Sequence, residues 1–79
     1  MAVIIDKEMR RRLYQSRYPK GSVLRLTKPI DDPYTPKKIG DEFISSGIVD
    51  SEMQLMGYWR SGGSMALRLE DDSYELVTK

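Results

Sequence analysis

The 79-residue chain contains neither cysteine nor histidine. Without cysteine it has no disulfide, no thiolate for a metal and no thiol nucleophile. Without histidine it lacks the commonest general base and the commonest zinc ligand, so none of its serines has an imidazole to activate it. We therefore expect a non-enzymatic protein that has no catalytic residues, no metal site and no cofactor.

Long apolar runs and phosphate-binding glycine loops are also missing. The apolar run of residues 2–5 is too short for a signal peptide or a membrane span, which predicts a soluble, cytoplasmic protein that enters no membrane. Gly57, Gly62 and Gly63 precede no predicted helix, so neither a dinucleotide fingerprint nor a P-loop is satisfied. Asp31 and Asp32 match no calcium-loop spacing, and an aspartate before Pro33 favours a turn over a metal site.

The only tryptophan and the only Gly-Gly pair lie together in residues 53–69. Residues of one parity are apolar or small on both sides of this pair: Leu55, Gly57 and Trp59 before it, and Met65, Leu67 and Leu69 after it. Alternation with a period of two is typical of half-buried strands, and two adjacent glycines suit the tight turn of a hairpin. The segment is thus predicted to be two strands joined at Gly62-Gly63.

The rest of the chain predicts one helix and three more strands. The helix is expected over about residues 6–17, capped by Asp6 and ended by Tyr18-Pro19, with an apolar stripe of Ile5, Met9 and Leu13 on the core. Strands are expected near residues 22–28, near 41–50 with a bulge at Ser46-Gly47, and near 73–77. The proline-rich residues 29–40 are expected to form a long loop, either ordered or disordered.

These elements make up one domain, residues 1–79, of the all-β class. We expect a small five-stranded SH3-like barrel over about residues 21–77, with a short N-terminal α-helix.

Positive charge is concentrated at the N-terminal end, where residues 1–20 hold six cations against two anions. The helix thereby offers a candidate nucleic-acid surface of cations and one stacking ring: Arg10, Arg11, Arg12, Tyr14 and Arg17. The alternative is that these arginines pair with the acidic residues 70–75. DNA or RNA is one class of expected partner.

A host or element-encoded protein is the other class of expected partner. The candidate interaction rim consists of Tyr34, Tyr58, Trp59 and Arg60, beside the proline-rich loop and the Gly62-Gly63 turn. Tyr58 and Trp59 adjoin in a strand and must face opposite sides, so one ring is expected in the core and the other outside. Tyr34 either forms an exposed patch or, as we prefer, folds back over one end of the core.

Several of these segments together resemble a known family of small domains. They are Tyr18-Pro19-Lys20-Gly21-Ser22-Val23-Leu24-Arg25-Leu26, then Asp31-Asp32-Pro33-Tyr34-Thr35-Pro36, then Gly40, then Trp59 with Gly63-Ser64-Met65-Ala66-Leu67, and finally Asp72-Ser73-Tyr74. The order is similar to that of a domain family of unknown function from phages, plasmids and integrated elements of Firmicutes and related bacteria. Its members read Y-P-x-G-T-x-V-x-L, D-P-Y-x-P and W-x-x-G-x-S-L-x-L.

The resemblance covers about residues 9–77 and implies an SH3-like barrel in a mobile-element setting. It implies no activity and no binding residues. The chain departs from the pattern at Phe43, where the family has a glycine, and near Ser51, where it is one residue longer.

Overall fold

The computed structural model describes residues 6–63 and 65–78. These residues form one helix and five strands: α1 Lys7–Arg17, β1 Val23–Leu26, β2 Glu42–Val49, β3 Gln54–Trp59, β4 Leu67–Arg68 and β5 Tyr74–Thr78. The strands make an open antiparallel sheet in the order β4-β3-β2-β1-β5. The prediction of a mostly β structure with five strands and a short N-terminal helix is confirmed.

A small apolar core lies on one face of this sheet. Its most deeply buried large side chains are Trp59, Phe43, Leu24, Leu26, Leu55, Leu67 and Val49. Phe43 and Trp59 are cross-strand partners on β2 and β3, and their rings meet edge to face with centroids 5.0 Å apart. The parity predicted for the central hairpin is confirmed, since Leu55, Trp59, Leu67 and Leu69 are all buried.

The hairpin turn is present, but the strand after it is shorter than predicted. Trp59 N–H donates to the Gly63 carbonyl over 3.1 Å, and Gly62 N–H donates to the Trp59 carbonyl over 3.0 Å. Pairing of β4 with β3 is confined to Leu67 and Arg68. Met65 stays outside the ladder, and its carbonyl instead accepts the indole N–H of Trp59 over 2.8 Å.

The predicted bulge in β2 is confirmed. Ser45 pairs with Gly57 and Val49 with Leu55, so three residues of β2 face a single residue of β3. Gly47 takes a φ of +83°, and a Cβ there would meet the backbone nitrogen of Lys20 at 2.9 Å. The buried Ser45 hydroxyl holds the bulge, because it donates to the Tyr18 carbonyl and accepts from the Gly47 N–H, each over 2.9 Å.

The helix begins where the sequence predicts, but it faces the sheet differently. Asp6 caps it by accepting the Met9 N–H over 2.8 Å. The predicted apolar stripe is wrong, since Met9 and Leu13 are each more than half exposed; Ile5 lies outside the described residues. Tyr14 packs on the core instead, beside the buried Tyr18 that follows the helix.

Hydrogen bonds to the backbone of one residue, Val49, explain this orientation. Gln15 Oε1 accepts the Val49 N–H, and Arg11 Nη1 donates to the Val49 carbonyl, both over 3.0 Å. These bonds turn the face of Arg11 and Gln15 toward β2 and leave Met9 and Leu13 outside. Satisfying backbone groups next to the bulge therefore takes precedence over burying the apolar stripe.

Candidate binding surfaces

Three of the five predicted nucleic-acid-binding residues are engaged within the fold. Arg10 Nε lies 3.0 Å from a Glu70 carboxylate oxygen, as an ion pair without hydrogen-bond geometry. The Tyr14 hydroxyl donates to the same carboxylate over 3.2 Å, and burial together with this contact raises the Tyr14 pKa. Arg11 is bonded to Glu8 as well as to Val49, and its hydrogen bonds lower the Glu8 pKa. The alternative expectation, that helix arginines pair with the acidic C-terminal segment, is confirmed for Arg10.

The other two predicted residues, Arg12 and Arg17, are exposed. Arg12 lies 3.3 Å from Glu8 at a largely exposed position, where such a pair contributes little. Arg17 has no ion pair within residues 6–63 and 65–78. Between Arg10 and Arg17, with Leu13 and Tyr14, lies a cavity of about 180 Å³. The free cationic surface is therefore smaller than the sequence predicts.

The preferred prediction for Tyr34 is wrong, because its ring is 91% exposed rather than folded over the core. The Asp32 carboxylate accepts the backbone N–H groups of Tyr34 and Thr35 over 2.7 and 2.9 Å, as predicted for an aspartate before proline. The Tyr34 ring projects outward from this turn, whereas Ile30 and Lys37, at the two ends of the loop, are buried.

Contacts of Lys37 join the proline-rich loop to the hairpin turn. Ile30 and Lys37 pair across the base of the loop. The Lys37 ammonium donates to the Gly62 carbonyl over 2.7 Å and lies 5.4 Å from the centre of the Trp59 ring. The Thr35 hydroxyl donates to the sulfur of Met65 over 3.0 Å. Tyr34 thus projects from a loop that is held at both ends.

The other members of the predicted rim differ from Tyr34 in their exposure and contacts. Trp59 is 2% exposed and belongs to the core, so its assignment to the rim is wrong. Tyr58 is the exposed ring of the adjacent pair, at 56%, and projects from the opposite face of β3. Arg60 is exposed but lies 2.9 Å from Glu42 on the neighbouring strand.

A groove that the sequence analysis missed lies beside the Tyr34 loop. We call it the acidic groove; its volume is about 310 Å³, and it is lined by residues 30–33, 65–66 and 68 with Gln54 and Asp72. Its lining residues come from four separate parts of the chain, so no local sequence motif predicts the groove. The Asp31-Asp32 pair is the one feature of the sequence that indicates negative charge there. In the described part of the chain no three acidic residues are placed to hold a metal ion.

Comparisons with protein-family models, with curated proteins and with solved structures find no match to this chain. The resemblance to the mobile-element domain family stays a prediction. Across residues 6–63 and 65–78, no helix has both the length and the hydropathy that crossing a membrane requires.

Asp32 predicts a pH-dependent change confined to the loop. Hydrogen bonds from the Thr35 and Tyr34 N–H groups lower its pKa, so they stabilise the charged carboxylate. This stabilisation is present above the usual aspartate pKa and is lost as the pH falls through the lowered value. In an NMR titration from neutral pH to about pH 2, the amides of Tyr34 and Thr35 are expected to shift together below the usual aspartate range. A midpoint at or above that range contradicts the anchoring role.

Proposed function

We propose that this chain is a non-enzymatic binding module whose partner is a protein that contacts the loop carrying Tyr34. One observation carries the proposal: a 91% exposed tyrosine stands on a loop that is anchored on both sides. A large ring on a loop that is already ordered loses little entropy on binding, and tyrosine is enriched among residues that dominate interface energies.

We also propose an SH3-like barrel as the architecture. Support comes from the strand order, with β5 beside β1 and β4 at the far edge. One contact draws the two edge strands together, since the Tyr74 hydroxyl at the start of β5 donates to the Leu69 carbonyl just after β4. Barrels of this kind bind through loops at one rim, which by analogy is the position of the Tyr34 loop.

Replacing Tyr34 by alanine is expected to abolish binding to the partner while leaving the free energy of unfolding almost unchanged, because the ring makes little contact within the fold. The measurement is quantitative co-purification of partner proteins from the host, at low and at moderate salt. A loss of at least about 2 kcal/mol of binding free energy is the size expected of an interface anchor.

Tyr58→Ala is the matched control, since it removes an exposed ring from the opposite face of β3. It is expected to retain the partner that Tyr34→Ala loses. Equal retention by both variants contradicts a binding site at the Tyr34 loop.

Nucleic acid is the second candidate partner, and we propose it for a narrower surface than the sequence predicts. The cavity lined by Arg10, Leu13, Tyr14 and Arg17 places cations beside an aromatic side chain. Arg12 adds an exposed charge on the same helix. Cations with a stacking ring suit a phosphate backbone and an unpaired base.

Under this second proposal, Arg12→Ala/Arg17→Ala is expected to reduce oligonucleotide affinity and its salt dependence. Loss of two phosphate contacts lowers the slope of log affinity against log salt by about 2. Fluorescence anisotropy with short single- and double-stranded oligonucleotides, between about 50 and about 200 mM salt, measures that slope. Lys28→Ala/Lys38→Ala removes the same charge elsewhere on the exposed surface. If both double variants reduce the slope alike, the helix is not the binding surface.

We also propose a biological setting for the chain. The resemblance supports an origin in a phage, plasmid or integrated element, and with that origin we propose a cytoplasmic location.

A further inference from the structure

We infer that the acidic groove receives the side chain of an arginine or a lysine from a segment of the partner protein. This inference rests on the proposed protein-binding function and names the chemistry of its partner. Asp31 and Asp32 line the groove two or three positions before Tyr34. A segment placed along the loop can therefore reach both the groove and the exposed ring.

The charges of the groove are unequal, with three carboxylates against one guanidinium. That guanidinium, on Arg68, is 3.2 Å from Asp72, whose side chain is only 5% exposed and also accepts the Arg68 N–H over 2.9 Å. Asp72 and Arg68 neutralise each other. The charge that remains for a ligand is negative and belongs to Asp31 and Asp32.

These two aspartates differ in how much of their hydrogen-bonding capacity remains free. One oxygen of Asp32 accepts two backbone N–H groups, an arrangement that keeps the carboxylate ionised. Asp31 is exposed, and no hydrogen bond or ion pair joins its side chain to any other described residue. Asp31 is thus the group best placed to bind an incoming cation.

Apolar side chains also line the groove, and they suit the aliphatic stem of an arginine or a lysine. Ile30, Pro33, Met65 and Ala66 line it beside the carboxylates. Arginine and lysine bury an aliphatic stem against apolar surface while the charged end stays among polar groups. A volume of about 310 Å³ lies at the lower end of the range for ligand clefts, which suits one long side chain.

The test uses amide chemical-shift titration of the intact chain with three short capped peptides. In these, leucine alternates with arginine, with its neutral isostere citrulline, or with glutamate. The arginine peptide is expected to shift the amides of Asp31, Gln54 and Asp72, and to bind about tenfold more tightly than the citrulline peptide. The glutamate peptide is expected to shift none of these amides.

Asp31→Asn is expected to weaken the arginine peptide about fivefold and to leave the citrulline peptide unchanged. Asp71→Asn is the matched control, because it removes the same charge from an exposed position of the β4–β5 turn outside the lining of the groove. Equal binding of the arginine and citrulline peptides overturns the inference, as does an equal effect of the two asparagine variants. Concentration-dependent shifts of the groove amides without peptide would identify a second copy as the occupant and also overturn it.

The two proposals fail separately. If Tyr34→Ala abolishes co-purification while Asp31→Asn leaves peptide binding intact, only the groove inference fails. If Asp31→Asn weakens the arginine peptide while Tyr34→Ala retains every partner, only the proposed function of the Tyr34 loop fails.

Discussion

Replacing Trp59 by alanine is expected to lower the free energy of unfolding by about 3–5 kcal/mol, the largest loss we predict for this chain. The side chain is almost fully buried, meets Phe43 edge to face and donates its indole N–H to the Met65 carbonyl. Its removal leaves a cavity and an unpaired carbonyl, and it also takes away the ring beneath the Lys37 ammonium.

Since the stability of a domain of this size is itself only about 4–12 kcal/mol, Trp59→Ala is expected to approach unfolding at ambient temperature. The melting temperature, followed by far-ultraviolet circular dichroism, should fall by roughly 15–30 °C. Tyr58→Ala, one residue away on the same strand, is the control and should cost less than about 1 kcal/mol. Similar losses for the two variants would contradict the assignment of Trp59 to the core and Tyr58 to the surface.

Gly57→Ala is expected to destabilise the protein by about 3 kcal/mol through overpacking. A Cβ at this position would collide with the backbone carbonyl of Ile44 on the paired strand, and it would meet two ring carbons of Phe43 at 2.9 Å. The carbonyl belongs to the sheet and cannot rotate away, so β2 and β3 must separate locally.

Gly62→Ala separates this steric effect from the general cost of replacing glycine. Gly62 has a φ of +109° but open space around its missing side chain, so its replacement is expected to cost only about 1–2 kcal/mol. Urea denaturation measures both variants. If Gly57→Ala loses no more stability than Gly62→Ala, close packing of β2 against β3 is not what requires Gly57.

The position of the Tyr34 loop depends on the buried residue Trp59. Lys37 lies over Trp59, and Thr35 contacts Met65, whose carbonyl is held by the indole. The Tyr34 ring itself is 91% exposed and contributes little to the stability of the fold. Substitution of Tyr34 therefore separates binding from stability. Trp59 variants, by contrast, are expected to lose both.

Features that depend on residues close together in the sequence were predictable from it. The Asp6 cap, the burial of Leu55 and Leu67 in the central hairpin, and the Ser46-Gly47 bulge all follow from local propensity and period. The Asp32 turn is equally local, since its hydrogen bonds span only two and three residues.

Tertiary structure decided which faces are exposed and which charges remain free. Arg10 meets Glu70 and Arg11 meets Val49, which lie far away in the sequence, so no short window of sequence distinguishes these two arginines from the exposed Arg12 and Arg17. Met9 and Leu13 form a regular apolar stripe, yet backbone groups beside the bulge turn the helix the other way. Asp31 and Asp72 line one groove together with residues from two other parts of the chain, and this juxtaposition exists only in the folded structure. Exposure depends on contacts between distant residues, whereas the periodic pattern of a segment reports only on that segment.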